Sequence, residues 1–248
     1  MAGHSKWANI KHRKGAQDAK RGKIYTKLVK EITVAVKTGG ADPEMNPRLR
    51  LAIQNAKGQN MPKDNVERAI KKASGAGGED FVETTFEGYG VDGVAIFIEC
   101  ATDNNTRTVA NIRSYFTKNG GSLGKDGCLQ FIFERKGIFT IDLNGQDEEE
   151  FTLEMIDGGA EDVEFDREEN LITVSCEMEE FGNVSKKLQE LNVEPKEAGL
   201  QRIPTTYKEV NKDSFPKLMK LIDTIEDDDD VQKVYHNIEF NEELMGSL

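Results

Sequence analysis

Residues 74–80, SGAGGED, decide how the chain is organised, because the periodicity of its apolar residues changes across them. Before this segment the apolar residues recur at helical spacing, and after it they alternate or cluster as strands do. Glycine lacks a Cβ, so a segment rich in it has the conformational freedom of a linker. We therefore predict an all-helical part before the linker and mixed helix and strand structure after it.

Three helices are predicted on the N-terminal side of this linker. Apolar residues recur every four positions from Ile24 to Val36, and this spacing predicts a helix that ends at the following pair of glycines. Asn46 offers an N-cap to a second helix, with Pro47 at its first position. Pro62 opens a third helix, which completes a small helical module.

The C-terminal side begins with a strand, a helix and a strand, at residues 94–100, 108–116 and 129–133. Residues 137–204 then repeat strands and helices in the order βαββαβ, which is the order of a ferredoxin-like domain. Residues 205–240 supply a strand at 207–210, a helix and a last strand at 231–240.

The elements of residues 205–240 have no sheet of their own, so we expect them to complete the sheet that residues 80–134 begin. The predicted class is α+β, with an N-terminal three-helix module and two α/β domains, one inserted in the other. The predicted domains are a basic helical domain, a discontinuous α/β domain and an inserted, acidic, ferredoxin-like domain; they span residues 1–78, 79–134 plus 205–248, and 135–204.

Charge is distributed unevenly along the 248 residues, whose formal net charge is −12. Residues 1–75 carry 17 Lys+Arg against 6 Asp+Glu, while residues 76–248 carry 16 against 39. The two parts are therefore +11 and −23. An acidic chain would ordinarily argue against nucleic acid as a partner, but this asymmetry indicates a charged binding face at one end.

Membrane, secreted and disulfide-rich classes are not indicated. No stretch approaches the roughly 18 apolar residues of a membrane span, and the N-terminus lacks the apolar core of a secretory signal. The three cysteines are far apart and form no CxxC, so neither a disulfide framework nor a zinc site is supported. We expect a cytoplasmic protein with no membrane partner.

Two glycine motifs resemble nucleotide-binding loops without meeting their requirements. Residues 88–93 fit G-x-G-x-x-G, but a strand follows them where a dinucleotide site needs a helix N-terminus. Residues 119–126 place Gly-Lys as a P-loop does, but Asp126 stands where the Mg²⁺-binding Ser or Thr belongs. Both are more typical of ordinary turns.

The sequence also offers little support for a catalytic or metal-binding site. There are three histidines and no recognisable nucleophile motif, and a pair of acids for general acid–base chemistry cannot be selected from sequence. The acidic run at 226–230, EDDDD, is more typical of a solvated, self-repelling turn than of a Mg²⁺ site. We predict no enzyme activity, no cofactor, no metal and no small-molecule substrate.

A basic segment, residues 4–30, has 11 Lys, Arg and His residues against one acidic residue, Asp18. Clustered cations that neutralise phosphates bind nucleic acid with strong salt dependence. Trp7 either stacks on an unpaired base or anchors the segment to the helical core. The predicted contacts of this segment, with His4 assisting, are Lys6, Trp7, Lys11, His12, Arg13, Lys14, Lys20, Arg21, Lys23 and Lys27.

A second candidate surface lies between a strand and a helix at residues 102–108. Arg107 and Arg113 would stand on this helix, where they could meet phosphate. The Asp and Asn residues before them are suited to capping the helix, so structure alone can explain those.

Four blocks of sequence closely resemble the YebC/PmpR family. They are residues 1–28, MAGHSKWANIKHRKGAQDAKRGKIYTKL; residues 46–73, NPRLRLAIQNAKGQNMPKDNVERAIKKA; residues 102–127, TDNNTRTVANIRSYFTKNGGSLGKDG; and residues 202–210, RIPTTYKEV. The resemblance spans essentially the whole chain. Gly15, Thr106 and Cys128 depart from the residues common there, and none of these departures removes a cation.

The resemblance implies a cytoplasmic transcriptional regulator with a helical N-terminal domain and two α/β domains. The family is similar to the mitochondrial translational activator of cytochrome oxidase subunit one, and members have been linked to relief of ribosome stalling. The expected function is therefore a non-enzymatic DNA-binding regulator of transcription, with ribosomal RNA or the ribosome as the alternative partner. We expect a monomer, and the resemblance carries over no catalytic residue.

Overall fold

The structure is a computed structural model that describes residues 21–75, 80–241 and 244. Within these residues it contains seven α-helices and two four-stranded sheets, so the predicted α+β class is confirmed. The helices are α1 (Arg21–Gly39), α2 (Pro47–Gly58), α3 (Lys63–Ser74), α4 (Asn105–Lys118), α5 (Glu148–Asp157), α6 (Phe181–Glu190) and α7 (Phe215–Glu226). The strands are β1 (Val82–Tyr89), β2 (Ala95–Thr102), β3 (Ser122–Leu123), β4 (Phe133–Asp142), β5 (Asp162–Asp166), β6 (Leu171–Glu177), β7 (Glu197–Pro204) and β8 (Val231–His236).

The chain forms two compact units. The first takes its described residues from the segments 1–31, 79–134 and 203–248, and the second from 32–78 and 135–202. Three of the four boundaries between the units fall inside α1, β4 and β7, and the fourth falls between residues 78 and 79. The division into three domains stays a prediction.

The first unit is built on the sheet β3-β1-β2-β8. β1 and β2 form an antiparallel hairpin in which Tyr89 lies opposite Ala95, and β8 pairs with the other edge of β2. Helices α4 and α7 bury Ile112 and Leu218 in the same apolar cluster as Ile96 of β2. Since β2 is central and almost wholly buried, it has the continuous apolar run that identified it in the sequence.

The second unit contains the sheet β5-β6-β4-β7. This is the spatial order 2-3-1-4 of the four strands along the chain, as the βαββαβ pattern predicted. Helices α5 and α6 cover one face, where Met155 and Val184 are fully buried in a cluster with Phe139 and Val174. Alternating residues of β4 and β6 therefore supply the core of this unit.

The start of α2 is fixed by Asn46, as the sequence predicted. Its side-chain oxygen accepts a hydrogen bond from the Leu49 N–H at 3.0 Å, and Pro47 occupies the first helical turn. The Asn46 amide also donates to the carbonyls of Ala35 and Gly40, at 2.7 and 2.8 Å. One buried side chain thus caps α2 and binds the end of α1.

The predicted strand at residues 129–133 is wrong, because residues 126–132 form turns and β4 begins only at Phe133. The buried Glu87 carboxylate accepts hydrogen bonds from the Gly127 and Leu129 N–H groups, at 3.0 and 2.5 Å. Those two amides are therefore not available to a strand ladder.

The predicted strand at residues 207–210 is also wrong, since Lys208 makes only an isolated bridge to Ile238. The last strand ends at His236 rather than at residue 240. At Asn237 a side chain completes the pairing with β2: its oxygen accepts from the Ala95 N–H at 2.8 Å, while the Asn237 backbone N–H donates to the Ala95 carbonyl at 3.3 Å. Strand β1, in which only Glu87 and Gly88 are buried, was not predicted.

Candidate nucleic-acid interface

Most of the predicted nucleic-acid contacts lie outside the described residues. These are His4, Lys6, Trp7, Lys11, His12, Arg13, Lys14 and Lys20, while Arg21 begins α1 but its side chain is not described. The structure does describe Lys23, Lys27, Arg107 and Arg113, and all four belong to the first unit.

Lys23 and Lys27 lie on one face of α1 and bind the C-terminal end of α7. The Lys23 ammonium lies 3.0 Å from the Asp227 carboxylate and donates to the Asp227 carbonyl at 3.1 Å. Lys27 donates to the Glu226 carbonyl at 3.0 Å. Carbonyls at a helix C-terminus lack intrahelical partners and carry partial negative charge, so they attract these cations.

Lys30, one turn further along α1, is almost completely buried. Its ammonium lies 2.9 Å from Asp230 Oδ1 and donates to the carbonyls of Asp229 and Ala101, at 2.7 and 3.2 Å. It also lies 5.0 Å from the centre of the Phe81 ring. With three oxygens and an aromatic face around it, Lys30 is an internal structural cation.

Asp230 gathers donors from three separate parts of the first unit. Besides Lys30, its carboxylate is bonded by the Arg107 guanidinium at 2.7 Å and by the hydroxyls of Thr102 and Thr108, at 3.1 and 2.9 Å. Burial by itself raises the pKa of Asp230, but the hydrogen bonds from Arg107, Lys30 and Thr108 outweigh it and lower this pKa to about 2. The carboxylate is therefore ionised throughout the physiological range.

Arg107 and Arg113, the second predicted surface, differ in their surroundings. Arg107 is held between Asp230 and Asp103, and its hydrogen bonds to these carboxylates raise its pKa. Arg113 is exposed on α4, and no carboxylate of the described residues pairs with it. Asn104 caps this helix by accepting from the Arg107 N–H at 3.1 Å, as expected for the residues before it.

The interpretation of residues 226–230, here named the acidic turn, as a solvated run is wrong for Asp230, whereas Asp227 and Asp229 are exposed. Asp230 is only 4% exposed, and Asp227 and Asp228 bind Lys23 and the Tyr115 hydroxyl respectively. Burial and the Asp228 contact raise the pKa of Tyr115 to about 12. Cations from α1 and donors from α4 offset the repulsion between neighbouring carboxylates.

Sequence reasoning missed Lys30, Thr102, Thr108 and Asp230 as a connected set. One signal was available, because three lysines at the i, i+4 and i+7 positions of α1 form a row that matches a run of acids of opposite sign. That signal does not identify which acidic segment of the chain the three lysines would contact.

The two glycine motifs have the ordinary roles predicted for them. Residues 88–93 end β1 and turn into β2, and a Cβ on Gly90 would lie 2.7 Å from the Leu218 side chain. Residues 119–126 leave α4, pass through β3 and enter a turn. Neither motif precedes a helix, so neither presents the helix N-terminus that a phosphate site requires.

The described residues contain no cluster of three or more His, Cys, Asp or Glu side chains arranged to hold a metal ion. Among the helices in this part of the chain, none combines the length and apolar character needed to cross a membrane.

Comparison with known proteins identifies the chain. Residues 5–76 match the TACO1/YebC protein N-terminal domain, and residues 81–238 match the TACO1/YebC second and third domain. A relative from Amoebophilus asiaticus, named a probable transcriptional regulatory protein, is 56% identical over 98% of this chain and 100% of its own length. The probable transcriptional regulatory protein YrbC of Bacillus subtilis is 52% identical, over 96% of this chain and 99% of its own.

A solved structure shares the fold over nearly the whole chain. The crystal structure of a conserved hypothetical protein from Aquifex aeolicus superimposes with a TM-score of 0.84, is 42% identical, and covers 95% of this chain and 97% of its own. The family resemblance seen in the sequence is thereby confirmed, and the chain belongs to the TACO1/YebC family.

Proposed function

We propose that this protein is a non-enzymatic regulator that binds nucleic acid through its basic N-terminal segment, with DNA as the target. The names of its relatives, probable transcriptional regulatory proteins, support a regulatory role in transcription. The observation that carries the proposal is the concentration of 11 Lys, Arg and His residues within residues 4–30 of a chain whose net charge is −12.

The contacts of α1 support the same proposal. Lys23 and Lys27 bind a carboxylate and backbone carbonyls with their ammonium groups, at 3.0 to 3.1 Å. These lysines thus already hold anionic and partially negative oxygens of the kind that a phosphate backbone offers. Helix α1 carries the last cations of the basic segment, and the acidic remainder of the chain repels polyanions and so confines contact to this segment.

Charge reversal in the basic segment tests the proposal. We compare the wild-type chain with the triple variant Lys11→Glu, Arg13→Glu, Lys14→Glu, and measure fluorescence anisotropy of labelled duplex DNA over a range of salt concentrations. If each residue contacts one phosphate, affinity falls sharply and the slope of log K against log salt decreases by about 3.

The matched control reverses three exposed lysines elsewhere, Lys125→Glu, Lys186→Glu and Lys220→Glu, so the change in net charge is the same. This control should retain most of the affinity and the full salt slope. Equal effects of the two triple variants would show that only overall charge matters and would contradict binding by the segment.

The kind of nucleic acid is decided inside cells, by crosslinking followed by sequencing of both the bound DNA and the bound RNA. Enrichment of promoter DNA supports transcriptional regulation. Recovery of ribosomal RNA at defined positions without promoter enrichment would contradict it and identify an RNA-binding translation factor instead.

A further inference from the structure

We propose that the acidic turn, residues 226–230, contains an intramolecular competitor of nucleic acid: the Asp227 carboxylate occupies Lys23 of α1 and must leave it before phosphate binds there. This inference rests on the proposed function and adds to it a control of the same binding surface. Both partners belong to the first unit, so the competition takes place within one compact part of the protein.

The oxygens that contact Lys23 and Lys27 occupy the positions at which phosphate oxygens would bind these lysines. Lys23 binds a carboxylate oxygen and a carbonyl oxygen of Asp227, at 3.0 and 3.1 Å, and Lys27 binds the Glu226 carbonyl at 3.0 Å. These oxygens lie at the C-terminal end of α7, where the helix dipole adds negative potential. A phosphate group that approached either ammonium would meet an oxygen already in place.

The row of lysines divides into an exchangeable part and a permanent part. The side chains of Lys23 and Asp227 are 42% and 48% exposed, whereas those of Lys30 and Asp230 are only 10% and 6% exposed. Water and salt screen an exposed pair, so it contributes little to stability and can be exchanged. A buried pair cannot lose one partner without leaving an uncompensated charge.

A polyanion can therefore displace the Asp227 side chain from Lys23 while the Lys30–Asp230 pair keeps α1 in place. By binding Lys23, the Asp227 carboxylate lowers the fraction of molecules in which this lysine is available to phosphate. The apparent affinity for nucleic acid is the intrinsic affinity multiplied by that fraction.

The test compares two substitutions that remove the same charge two positions apart. Asp227→Asn removes the carboxylate that binds Lys23. Asp229→Asn is the matched control, because its carboxylate is exposed and makes no hydrogen bond or ion pair with the described residues. The probe is a fluorescein-labelled duplex of mixed sequence, prepared both as DNA and as RNA, and the full chain is used.

We expect Asp227→Asn to bind the probe about two- to fivefold more tightly than Asp229→Asn does, which is the range of an exposed ion pair. In a Lys23→Ala background this difference should vanish, because the lysine that the two anions share is gone. Thermal unfolding of each variant verifies that both remain folded.

Equal affinities of the two Asn variants would overturn the competition, because long-range charge alone would then explain any gain. A difference that persists in the Lys23→Ala background would also overturn it. Failure of the proposed function gives a different result, since the wild-type chain would then show no salt-dependent binding of either probe.

Discussion

The Lys30 ammonium lies 2.9 Å from the Asp230 carboxylate, although the two residues are 200 positions apart in the chain. Both side chains are at least nine-tenths buried. Thr102 ends β2 and Thr108 lies in the first turn of α4, and their hydroxyls complete the surroundings of this carboxylate. The pair thus ties α1, the end of β2, the start of α4 and the residue before β8 together within the first unit.

Asp230→Asn should lower the free energy of unfolding by about 3–5 kcal/mol, because it leaves the buried Lys30 ammonium without its counterion. Urea unfolding at neutral pH measures this loss. Asp229→Asn, in the same turn, should change the free energy by less than about 0.5 kcal/mol. Similar losses of unfolding free energy in the two variants would show that an amide destabilises the turn at either position. That result would contradict a specific contribution of the Lys30–Asp230 pair to stability.

Acid stability should depend on the Thr108 hydroxyl. The pKa of Asp230 is lowered from 3.8 to about 2, so its contribution to stability is present above pH 3.8 and is lost as the pH falls through about 2. Thr108→Val removes one of the hydrogen bonds that lower this pKa, so acid unfolding should begin at a higher pH. The change is followed by circular dichroism between neutral pH and strong acid.

The control for that measurement is Thr117→Val on the same helix, where the hydroxyl, among the described residues, donates only to the Arg113 carbonyl at 2.9 Å. Its acid unfolding profile should keep the wild-type midpoint. A shift of equal size in both variants would assign the effect to helix stability and not to Asp230.

Glu87→Gln should loosen the turn at residues 126–132. The carboxylate accepts from two backbone N–H groups, and an amide offers only one oxygen, so one buried donor loses its partner at a cost of about 1–3 kcal/mol. Hydrogen exchange at the Gly127 and Leu129 amides should accelerate. Glu149→Gln at an exposed position of α5 should leave both rates unchanged; unchanged rates in Glu87→Gln would mean that the turn is held by other contacts.

Gly58→Ala should destabilise the second unit by about 3 kcal/mol or more, because a Cβ at Gly58 would lie 1.8 Å from the Lys196 carbonyl oxygen. Thermal unfolding measures the effect. Gly182→Ala in α6 is the control, since nothing lies within 4 Å of the added carbon. That variant should be stabilised by about 0.5–1 kcal/mol through its better helix propensity, and a loss in it as large as that of Gly58→Ala would refute the steric explanation.

Local signals in the sequence were sufficient for much of the fold. The cap at Asn46 and the run of apolar residues in β2 depend on neighbours within a few positions, and both were predicted correctly. Strand β1 was not predicted. The strand predicted at residues 129–133 was wrong, because the distant Glu87 carboxylate on β1 accepts hydrogen bonds from the Gly127 and Leu129 amides. Hydrogen bonds between distant residues leave no local periodicity to read.

The candidate interface also has features that the sequence shows and features that only the structure shows. The excess of cations in residues 4–30 is visible in the sequence and needs no structure to be recognised. That Lys23 and Lys27 lie against the acidic turn, and that Arg107 is held by Asp103 and Asp230, could not be read from it. Each of these contacts depends on the path of the chain between its partners.

By itself, then, the sequence determined the helical and strand periodicity, the order of elements in the ferredoxin-like part and the separation of charge into a basic segment and an acidic remainder. Only the tertiary structure decided which charges are buried and which oppose one another. The physical reason is that the energy of a charge pair depends on the distance between its partners and on their exposure to water. For Lys30 and Asp230, both quantities are set by elements that lie far apart in the chain and meet only when it folds.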